Sequence, residues 1–503
     1  MAELHTVGVV GAGTMGAGIA QVAAAAGHPV LLFDALPGLA DKAKSRLAET
    51  LEKLVGKGRL TAAERDALLA RIQPCAEISA LAPARLVIEA IIEDLVAKQN
   101  LFRQLETLVA PDAILATNTS SLSVTAIANG LSRPGSFARF AGMHFFNPAP
   151  LMPLVEVIAG AATAPGVLDA LVATAKSWGK TPVSAKDSPG FIVNRGARPF
   201  YGEALRFLEE RGADAATIDS LLRAAGFRMG PLELIDLVGL DISLAVSRSI
   251  AAACPGETRL LPSRLVEEHV AAGQLGRKTG RGFYDYAGGA KAMRTVIPPC
   301  APPKHVAVHG HLGPAHALAE IWATHGVEVL LVDVPPGDSW LEIDGFHVAL
   351  TDGRTARELT AEDGLPWIVF DLSLNYAACS HLALAASDPT SLGAQKVAGL
   401  FQLGGRAVSL VPDLPGLLVA RTLAMLMNES ADLVARGVAT AGDVDLAMVK
   451  GLNFPGGPLG WADRIGARYA VTLLDHLATT YGERYRASAL LRRHAEHGGK
   501  FHE

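Results

Sequence analysis

The sequence predicts a doubly wound α/β domain followed by an all-α domain, and it predicts that this pair of domains occurs twice. Three observations carry the prediction. A buried strand, a glycine-rich turn and a helix occupy residues 6–34. From residue 187 the apolar residues recur every three or four positions, which is typical of helices. The segment "DSPGFIVNR" (187–195) returns as "DLPGLLVAR" (413–421), so the helical part is duplicated.

The totals describe a multidomain chain whose partners are small molecules or other protein subunits. Its 503 residues, half of them hydrophobic, exceed what one domain needs for a core. The net charge is −5 without a block of like charges, which argues against a surface for nucleic acid or membrane. Apolar runs are broken well before the roughly 18 residues of a membrane span, and no signal peptide precedes the first strand. The four cysteines lie far apart, so we expect a cytoplasmic protein with neither a disulfide framework nor a metal site.

Residues 6–34, "TVGVVGAGTMGAGIAQVAAAAGHPVLLFD", have the strand–helix–strand pattern of a dinucleotide-binding unit. Gly11 permits the tight turn, Gly13 lets the backbone approach a pyrophosphate, and Gly16 lets helix and strand pack closely. The helix N-terminus offers free N–H groups to the phosphates. Asp34 ends the second strand, where its carboxylate can accept hydrogen bonds from a ribose and would repel a 2′-phosphate. The predicted cofactor is therefore NAD.

Polar residues follow further strands of the predicted sheet. A helical hairpin is predicted at residues 38–73, inserted after the second strand. Glu93 follows the strand "RLVIEAII" (85–92), and Asn118 and Ser120 follow the strand in "AILATNTSS". Because ligands bind at the carboxyl ends of parallel strands, we expect these three side chains at the ligand-binding edge.

The segment "GMHFFNPAPLMPLVEVI" (142–158) contains the pair that we predict to be catalytic. His144 ends a strand, and Asn147 lies on the same turn. Glu156 stands in an apolar stretch, where an ionised carboxylate is costly unless it is paired. A carboxylate bonded to one imidazole nitrogen fixes the tautomer and leaves the other nitrogen free to exchange a proton. We therefore predict that His144 takes a hydroxyl proton as hydride leaves the carbon; a purely structural histidine is the alternative.

These motifs, with "TNTSSLSVTAIA" and "DSPGFIVNR", resemble those of the L-3-hydroxyacyl-CoA dehydrogenase family over about residues 5–286. The resemblance implies a Rossmann domain, a helical domain, and reversible NAD-dependent oxidation of a (3S)-3-hydroxyacyl-CoA to a 3-oxoacyl-CoA. It implies that His144 is the base and Glu156 its partner. It also assigns Ser120, Asn147 and Asn194 to the substrate oxygen and nicotinamide, Gly11, Ala12, Gly13, Thr14, Met15, Gly16, Asp34, Glu93, Lys98, Asn118 and Ser120 to NAD, and Thr50 and Lys57 to coenzyme A. One departure from the family pattern is a conservative one, Thr for Ser before Asn118.

Comparison at fixed offsets indicates that the second half is a copy that has lost its site. Residues 305–333 align without gaps to the N-terminal unit, with Leu312 and Ala315 in place of the second and third glycines. Leu312 would block the close approach that a pyrophosphate needs. The copy has no His-Phe-Phe-Asn counterpart, and Ala420 takes the place of Asn194.

The duplication gives a domain plan and a predicted interface. Because the family pairs through its helical domains, the resemblance implies that the second helical domain packs on the first as an intrachain pseudo-dimer. A homodimer of the whole chain stays open. Asp333, kept at the position of Asp34, leaves open that the second α/β copy binds another ligand. The predicted domains are 1–186 (Rossmann with the hairpin), 187–290 (helical), 304–410 (degenerate Rossmann-like) and 411–503 (second helical), with a Pro-containing linker at 291–303.

Three functional hypotheses remain. The first is a 3-hydroxyacyl-CoA dehydrogenase: two-copy members that this chain resembles act on 3-hydroxyadipyl-CoA in phenylacetate breakdown, and others act on 3-hydroxybutyryl-CoA or on the acyl-CoAs of fatty-acid β-oxidation. The second is a 6-phosphogluconate- or 3-hydroxyisobutyrate-type dehydrogenase, which uses a catalytic lysine where this chain has histidine. The third is a non-enzymatic NAD-binding scaffold. A dicarboxylyl substrate would need a cation near its acyl tail, and several Arg and Lys could serve.

Overall fold

The computed structural model describes residues 6–288, 293–335 and 339–502. The chain forms two compact units, Met1–Arg195 with Gly437–Leu452, and Gly196–Arg436 with Asn453–Glu503. The predicted domain boundary at 290 and the start of the predicted linker lie outside the described residues. Among the helices of these ranges, none combines the length and apolar character that crossing a bilayer requires.

The elements alternate between strand and helix in each α/β part and are helical elsewhere. The strands are β1 Val7–Val10, β2 Val30–Phe33, β3 Ile72–Cys75, β4 Leu86–Glu89, β5 Ile114–Thr117, β6 Phe140–Phe145, β7 Leu154–Ala159, β8 Thr181–Lys186, β9 His305–Gly310, β10 Glu328–Val332, β11 Ser339–Ile343, β12 Phe346–Leu350, β13 Trp367–Phe370, β14 His381–Ala386 and β15 Ala407–Leu410. The helices are α1 Thr14–Ala25, α2 Leu39–Gly56, α3 Ala62–Arg71, α4 Leu95–Leu108, α5 Val124–Ala128, α6 Pro165–Ser177, α7 Val193–Gly196, α8 Arg198–Glu209, α9 Ala215–Ala224, α10 Pro231–Val238, α11 Leu240–Ala253, α12 Arg264–Ala271, α13 Ala317–Thr324, α14 Ala356–Asp363, α15 Leu392–Phe401, α16 Val419–Ala435, α17 Ala441–Leu452, α18 Pro458–Ile465, α19 Ala467–Tyr481 and α20 Ala489–His497.

The first unit is built on an eight-stranded sheet in the order β3-β2-β1-β4-β5-β6-β7-β8. All neighbouring strands run parallel except β6 and β7. Strand β1 is buried along its whole length, as expected of a central parallel strand covered on both faces. The helical hairpin of α2 and α3 follows β2, and Thr61 caps the second helix in a capping box with Glu64.

The second unit contains a smaller, mixed sheet in the order β10-β9-β11-β12-β13-β14-β15. Strands β9 and β10 pair in parallel, as β1 and β2 do. An antiparallel ribbon of β11 and β12 then joins β9 to the rest of the sheet. The last four strands repeat the pattern of β5 to β8, because β12–β13 and β14–β15 are parallel and β13–β14 is antiparallel.

The helical copies pack against each other within the second unit. Helix α8 of the first copy lies against α16 of the second. Four buried rings join the copies: Phe227 lies 4.7 Å from Phe200 and 5.0 Å from Phe454, and Phe454 stacks 6.2 Å from Trp461. Burial of such rings is the main stabilising term at a packed interface.

Each helical copy also packs one helix on the sheet of the other copy. Helix α9, from the first copy, packs against β14 of the second sheet. Helix α17, at the equivalent place 226 residues later, packs against β7 and β8 of the first sheet. There the backbone N–H of Lys186 donates to the carbonyl of Val438 at 2.8 Å.

Candidate active site

The turn after β1 has the backbone geometry that the glycine pattern predicted. Gly11 has a φ of +100°, and a Cβ there would lie 2.5 Å from the carbonyl oxygen of Ala90. A Cβ on Gly16 would lie 1.8 Å from the carbonyl oxygen of Gly11, so helix and strand approach closely only without it. Gly13 is different, since nothing lies within 4 Å of its Cβ position. That side of the turn is open, as the close approach of a pyrophosphate requires.

Helix α1 begins at this turn with unsatisfied backbone donors. Thr14 and Met15 form its first turn, Gly13 is the N-cap, and no side chain caps the helix. Asp34, after β2, accepts a hydrogen bond from the backbone N–H of Ala12 at 2.7 Å. The carboxylate is thereby fixed beside the turn, as a ribose-binding group has to be. The residues present therefore fit NAD.

Lys98 lies behind the site. Its side chain is buried, and its ammonium lies 2.5 Å from an oxygen of Glu89 and 3.3 Å from one of Glu93. The hydroxyl of Thr117 donates to the other oxygen of Glu89 at 2.6 Å. In this structure Lys98 holds two carboxylates in place beside the ligand edge of the sheet, and its contact with NAD stays a prediction.

Glu93 organises the polar turn after β5. One of its oxygens accepts hydrogen bonds from the hydroxyl of Thr119 at 2.6 Å and from the backbone N–H groups of Ser120 and Ser121 at 2.9 and 3.0 Å. Burial raises its pKa, but the ammonium of Lys98 and these hydrogen bonds outweigh burial, so the pKa of Glu93 lies below its usual range. The turn is therefore held by an ionised carboxylate.

Asn118 and Asn194 connect this turn to the neighbouring strand β6 and to helix α7. The side-chain oxygen of Asn118 accepts a hydrogen bond from the backbone N–H of Phe145, next to His144, at 2.7 Å. The side-chain amide of Asn194 donates to the carbonyl of Ser120 at 3.1 Å. Three of the predicted site residues are thus brought to one edge of the sheet with the histidine.

His144 and Glu156 form a buried pair across β6 and β7. The two residues are direct partners in the antiparallel register, and imidazole Nδ1 lies 2.7 Å from a carboxylate oxygen of Glu156. The other oxygen of Glu156 accepts hydrogen bonds from the backbone N–H groups of Ile192 and Val193, each at 3.0 Å. The carboxylate is 0 % exposed and fully partnered. It therefore fixes the imidazole, with Nδ1 as the proton-bearing nitrogen and Nε2 free.

Aromatic rings surround the imidazole. The ring of Phe146 lies 4.5 Å and that of Phe191 lies 6.0 Å from the ring of His144. Phe191 has a φ of +48°, a left-handed conformation that is rare for a bulky residue and that recurs at Leu417, the equivalent position of the second copy, with a φ of +49°. Asn147 is exposed just beyond the strand, and it forms no hydrogen bond with the pair in the described part of the chain.

The predicted coenzyme A residues lie on the helical hairpin. Thr50 is exposed on α2, and its hydroxyl donates to the carbonyl of Arg46 in the same helix at 2.9 Å. Lys57 is the exposed C-cap residue of that helix. The two lie seven residues apart and therefore share a face. No contact in the described ranges joins either one to the histidine pair.

Two supporting carboxylates were not predicted from the sequence. Glu89 fixes Lys98, and it lies in an apolar strand, which is the signal that identified Glu156. Asp187 accepts hydrogen bonds from the backbone N–H groups of Val124 and Thr125 and thereby holds the start of α5. The motif "DSPG" that begins at Asp187 recurs as "DLPG" at Asp413, and this recurrence could have identified Asp187 as a supporting residue. Asp413 accepts the equivalent hydrogen bonds at the start of α14.

A Rossmann sheet with an open dinucleotide turn and a histidine–carboxylate pair at its ligand edge defines a nicotinamide-dependent oxidoreductase. The chain belongs to the 3-hydroxyacyl-CoA dehydrogenase family. Residues 6–188 match the NAD-binding domain of that family, and residues 190–286 and 416–501 both match its C-terminal domain. Residues 348–415 match the reduced Rossmann-fold domain of 3-hydroxybutyryl-CoA dehydrogenase. The predicted family, the cofactor NAD and the duplicated fold with a degenerate second Rossmann copy are confirmed.

Relatives match the chain over its whole length or over its first half. The 3-hydroxyadipyl-CoA dehydrogenase of Escherichia coli K12 is 42% identical over 497 residues, covering 98% of each chain. The crystal structure of a 3-hydroxybutyryl-CoA dehydrogenase from E. coli K12 covers 98% of each chain with a TM-score of 0.89 and 41% identity. The (S)-3-hydroxybutyryl-CoA dehydrogenase of Ralstonia eutropha covers 57% of this chain and 100% of its own, with a TM-score of 0.54 and 41% identity.

Proposed function

We propose that this protein catalyses the reversible oxidation of a (3S)-3-hydroxyacyl-CoA to a 3-oxoacyl-CoA with NAD. The observation that carries the proposal is the buried pair of His144 and Glu156 at the ligand edge of an NAD-binding sheet. The two backbone N–H groups hold the carboxylate in the position from which it orients the imidazole.

The proton moves at Nε2 of His144. Because Glu156 accepts the hydrogen bond from Nδ1–H, Nε2 has the free lone pair that takes the hydroxyl proton of the substrate. The carboxylate stabilises the imidazolium that results. Held by the glycine turn and Asp34, NAD would supply the acceptor for the hydride of C3. In the reverse direction the imidazolium returns the proton to the developing alkoxide.

The remaining roles follow from position. Ser120, Asn147 and Asn194 are proposed to bind the substrate oxygen and the carboxamide of the nicotinamide. Asn194 is prepared for this role by its hydrogen bond to the carbonyl of Ser120. For NAD we propose Gly11, Ala12, Gly13, Thr14, Met15, Gly16, Asp34, Glu93, Lys98, Asn118 and Ser120, and Lys98 also pairs with Glu93. For coenzyme A we propose Thr50 and Lys57, both exposed on α2 or at its end.

For the acyl group we propose 3-hydroxyadipyl-CoA, an intermediate of phenylacetate breakdown. The support is the E. coli relative of that name, which matches this chain from end to end. A 3-hydroxybutyryl-CoA or general β-oxidation substrate is the second candidate, because the full-length structural match from E. coli K12 is described as a 3-hydroxybutyryl-CoA dehydrogenase.

The second half is proposed to serve as an internal partner of the first. The domain plan of 1–186, 187–290, 304–410 and 411–503 and the pseudo-dimer are supported by the packing of α8 on α16 and by the helices α9 and α17, each of which packs on the other copy's sheet. Whether two whole chains pair is a separate question. We propose a cytoplasmic location, because the four cysteines lie far apart in the sequence and do not form the pattern of a disulfide framework.

The test of the proposed function follows NADH absorbance with acetoacetyl-CoA and 3-oxoadipyl-CoA side by side. Reduction of either supports the dehydrogenase, and the ratio of the two kcat/KM values assigns the acyl group. If neither is reduced while NADH binds, the proposal fails and the scaffold hypothesis takes its place.

A further inference from the structure

One cavity of the second unit has walls that are rich in arginine. The cavity has a volume of about 220 Å³ and is lined by α8, α11 and the segment 259–266. Every residue that lines it belongs to Gly196–Arg436 or Asn453–Glu503, so the cavity is formed within one compact unit. Its arginines are Arg198, Arg206, Arg259, Arg264 and Arg484, and Glu209 is the one carboxylate among the described residues that line it.

Three of these arginines have no counter-charge. Arg206 pairs with Glu203 at 2.6 Å, and Arg259 pairs with Asp432 at 3.0 Å. The other lining arginines form no ion pair with any residue that the structure describes: Arg198, Arg264 and Arg484. The cavity therefore has more positive than negative charge, which an anionic ligand would balance.

Arg198 carries its charge in a desolvated position. Its guanidinium donates to the hydroxyl of Ser247 at 2.9 Å, and that hydroxyl in turn donates to the carbonyl of Ser243 at 2.8 Å. The Nε of Arg198 is buried without a hydrogen-bond partner, and burial lowers the pKa of this side chain. The first turn of α8, where Arg198 stands, has no acidic residue to offset a cation at the positive end of the helix dipole. A bound anion supplies the missing counter-charge.

The other walls of the cavity indicate what kind of anion fits. Four of the lining side chains are both buried and apolar: Leu205, Leu244, Leu260 and Val266. An inorganic anion would leave this apolar surface without a partner, whereas an aliphatic chain would cover it. The cavity is therefore suited to a carboxylate that is attached to a short aliphatic chain.

We propose that this cavity is a binding site for the carboxylate of a short aliphatic acid, with the guanidinium of Arg198 as the principal partner of the carboxylate. The aliphatic chain packs against the buried leucines. The inference concerns the second unit alone and goes beyond the proposed function, because nothing in it depends on the reaction at His144.

Calorimetric titration of the full chain with hexanoate, hexanamide and inorganic phosphate tests the inference. We expect hexanoate to bind most tightly, because hexanamide lacks the charge and phosphate lacks the chain. Arg198→Met should weaken hexanoate binding at least about tenfold, because it removes a charge-assisted hydrogen bond. Arg248→Met, at an exposed arginine of α11 that pairs with Glu267, is the matched control and should leave the Kd of hexanoate unchanged.

Two sources present the same chemistry, a free acid and the carboxylate end of an acyl-CoA. Displacement of bound hexanoate by 3-oxoadipyl-CoA but not by acetoacetyl-CoA assigns the site to the acyl-CoA. Failure of both thioesters to displace hexanoate assigns the site to a free acid. Both results support a carboxylate site. Neither requires turnover, so a failure of the proposed function would leave them standing.

Three results would overturn the inference: no binding of hexanoate at millimolar concentration, equal or tighter binding of hexanamide or phosphate, or an unchanged Kd of hexanoate in Arg198→Met. NADH titration shows whether each variant is folded. If the methionine variant does not fold, Arg198→Lys decides, since lysine keeps the charge but not the planar fork and should weaken hexanoate binding. An unchanged Kd in that variant would then count against the inference.

Discussion

The two α/β copies place different chemistry at the same point of the same strand pattern. Val183 precedes the aspartate of "DSPG" by the same number of residues as Ser409 precedes the aspartate of "DLPG". The two positions are therefore equivalent. Their partners on the neighbouring strands are Glu156 and Ala383. On the next strand, the partner of Glu156 is His144. The equivalent partner of Ala383 is Asp371, whose backbone N–H donates to the carbonyl of Ala383 at 3.0 Å. The histidine–glutamate pair of the first copy is an aspartate–alanine pair in the second.

The carboxylate of Asp371 in the second copy has one of the two structural roles that Glu156 has in the first. Glu156 both orients His144 and accepts the backbone N–H groups at the start of the helical domain. Asp371 accepts the equivalent N–H groups, from Leu418 at 3.1 Å and Val419 at 2.8 Å, and has no imidazole to orient. The anchoring of the helical domain is therefore retained where the histidine is absent. Retention of that anchor alone is what an internal structural partner requires.

The largest effect that this comparison predicts is the loss of turnover in His144→Gln. We expect kcat to fall at least about a hundredfold, and up to about 10⁴-fold, because the proton acceptor is removed while the dinucleotide turn is untouched. Steady-state kinetics and NADH titration measure the two effects separately. Asp371→Asn is the control at the equivalent position, and its kcat should stay within about twofold of wild type. Near-normal turnover in His144→Gln would remove the catalytic distinction between the copies.

The second prediction concerns the ion pairs between the helical copies. Arg421 is 0 % exposed, and its guanidinium lies 3.3 Å from Glu203 and 2.8 Å from Glu210. Tyr485 accepts from the same guanidinium at 2.9 Å and donates to Glu203 at 2.6 Å. Arg421→Met removes the fully buried cation that Glu203 shares with Arg206, so we expect the free energy of unfolding to fall by about 3 kcal/mol, the lower end for a broken buried pair.

Arg436→Met is the matched control for that measurement. Arg436 pairs with Glu257 and Asp432, each at 2.7 Å, and about half of its side chain is exposed. Removal of such a pair should cost less than about 1 kcal/mol in chemical denaturation. Equal effects of the two substitutions would contradict a tightly packed internal interface.

The smallest predicted effect is a pH dependence that belongs to one helix–sheet contact. In the second sheet His381 lies on β14, and its two ring nitrogens lie 2.8 Å from the hydroxyls of Ser220, on α9, and Ser409. The equivalent contact of α17 on β7 is apolar, with Gly451 against Leu154. Burial lowers the pKa of His381 to about 4.

Proton linkage gives the direction in which the stability of the fold changes with pH at His381. Between an unfolded-state pKa of about 6.5 and the folded-state value, the unfolded chain binds a proton that the folded chain does not. The contribution of His381 to stability is therefore complete above about pH 6.5 and is lost as the pH falls toward 4, by up to about 3 kcal/mol. His381→Gln should flatten this slope, and His497→Gln, exposed at the end of α20, should not. Denaturation curves at several pH values measure both, and parallel slopes would exclude His381 as the cause.

Features that depend on backbone geometry within a short segment could be predicted from the sequence. The glycines at 11, 13 and 16 and the carboxylate of Asp34 have fixed spacing, and the structure shows the close approaches that this spacing requires. The pairing of His144 with Glu156 was also predictable, because an acidic residue in an apolar strand needs a partner.

Contacts between distant segments could not be predicted. Nothing in the sequence shows that Glu156 accepts from Ile192, 36 residues later, or that α9 and α17 pack on each other's sheets, since an apolar helix face does not specify which sheet it covers. Comparison at fixed offsets did not identify Asp371. The anchoring carboxylate lies on β7 in the first copy but directly after β13, the neighbour of the equivalent strand β14, in the second. Lys98 was assigned to NAD by resemblance, and only its burial reveals the ion pair with Glu89.

The central claim is that one copy binds NAD and the other has lost that ability, and calorimetric titration of the full chain with NADH tests it most directly. The turn of the second copy has Leu312 buried and Ala315 buried where the first copy has the open Gly13 and the close-packed Gly16. We predict one binding site per chain, unchanged in number by His144→Gln. A stoichiometry of two per chain would contradict the account, because the second copy would then be a working cofactor site.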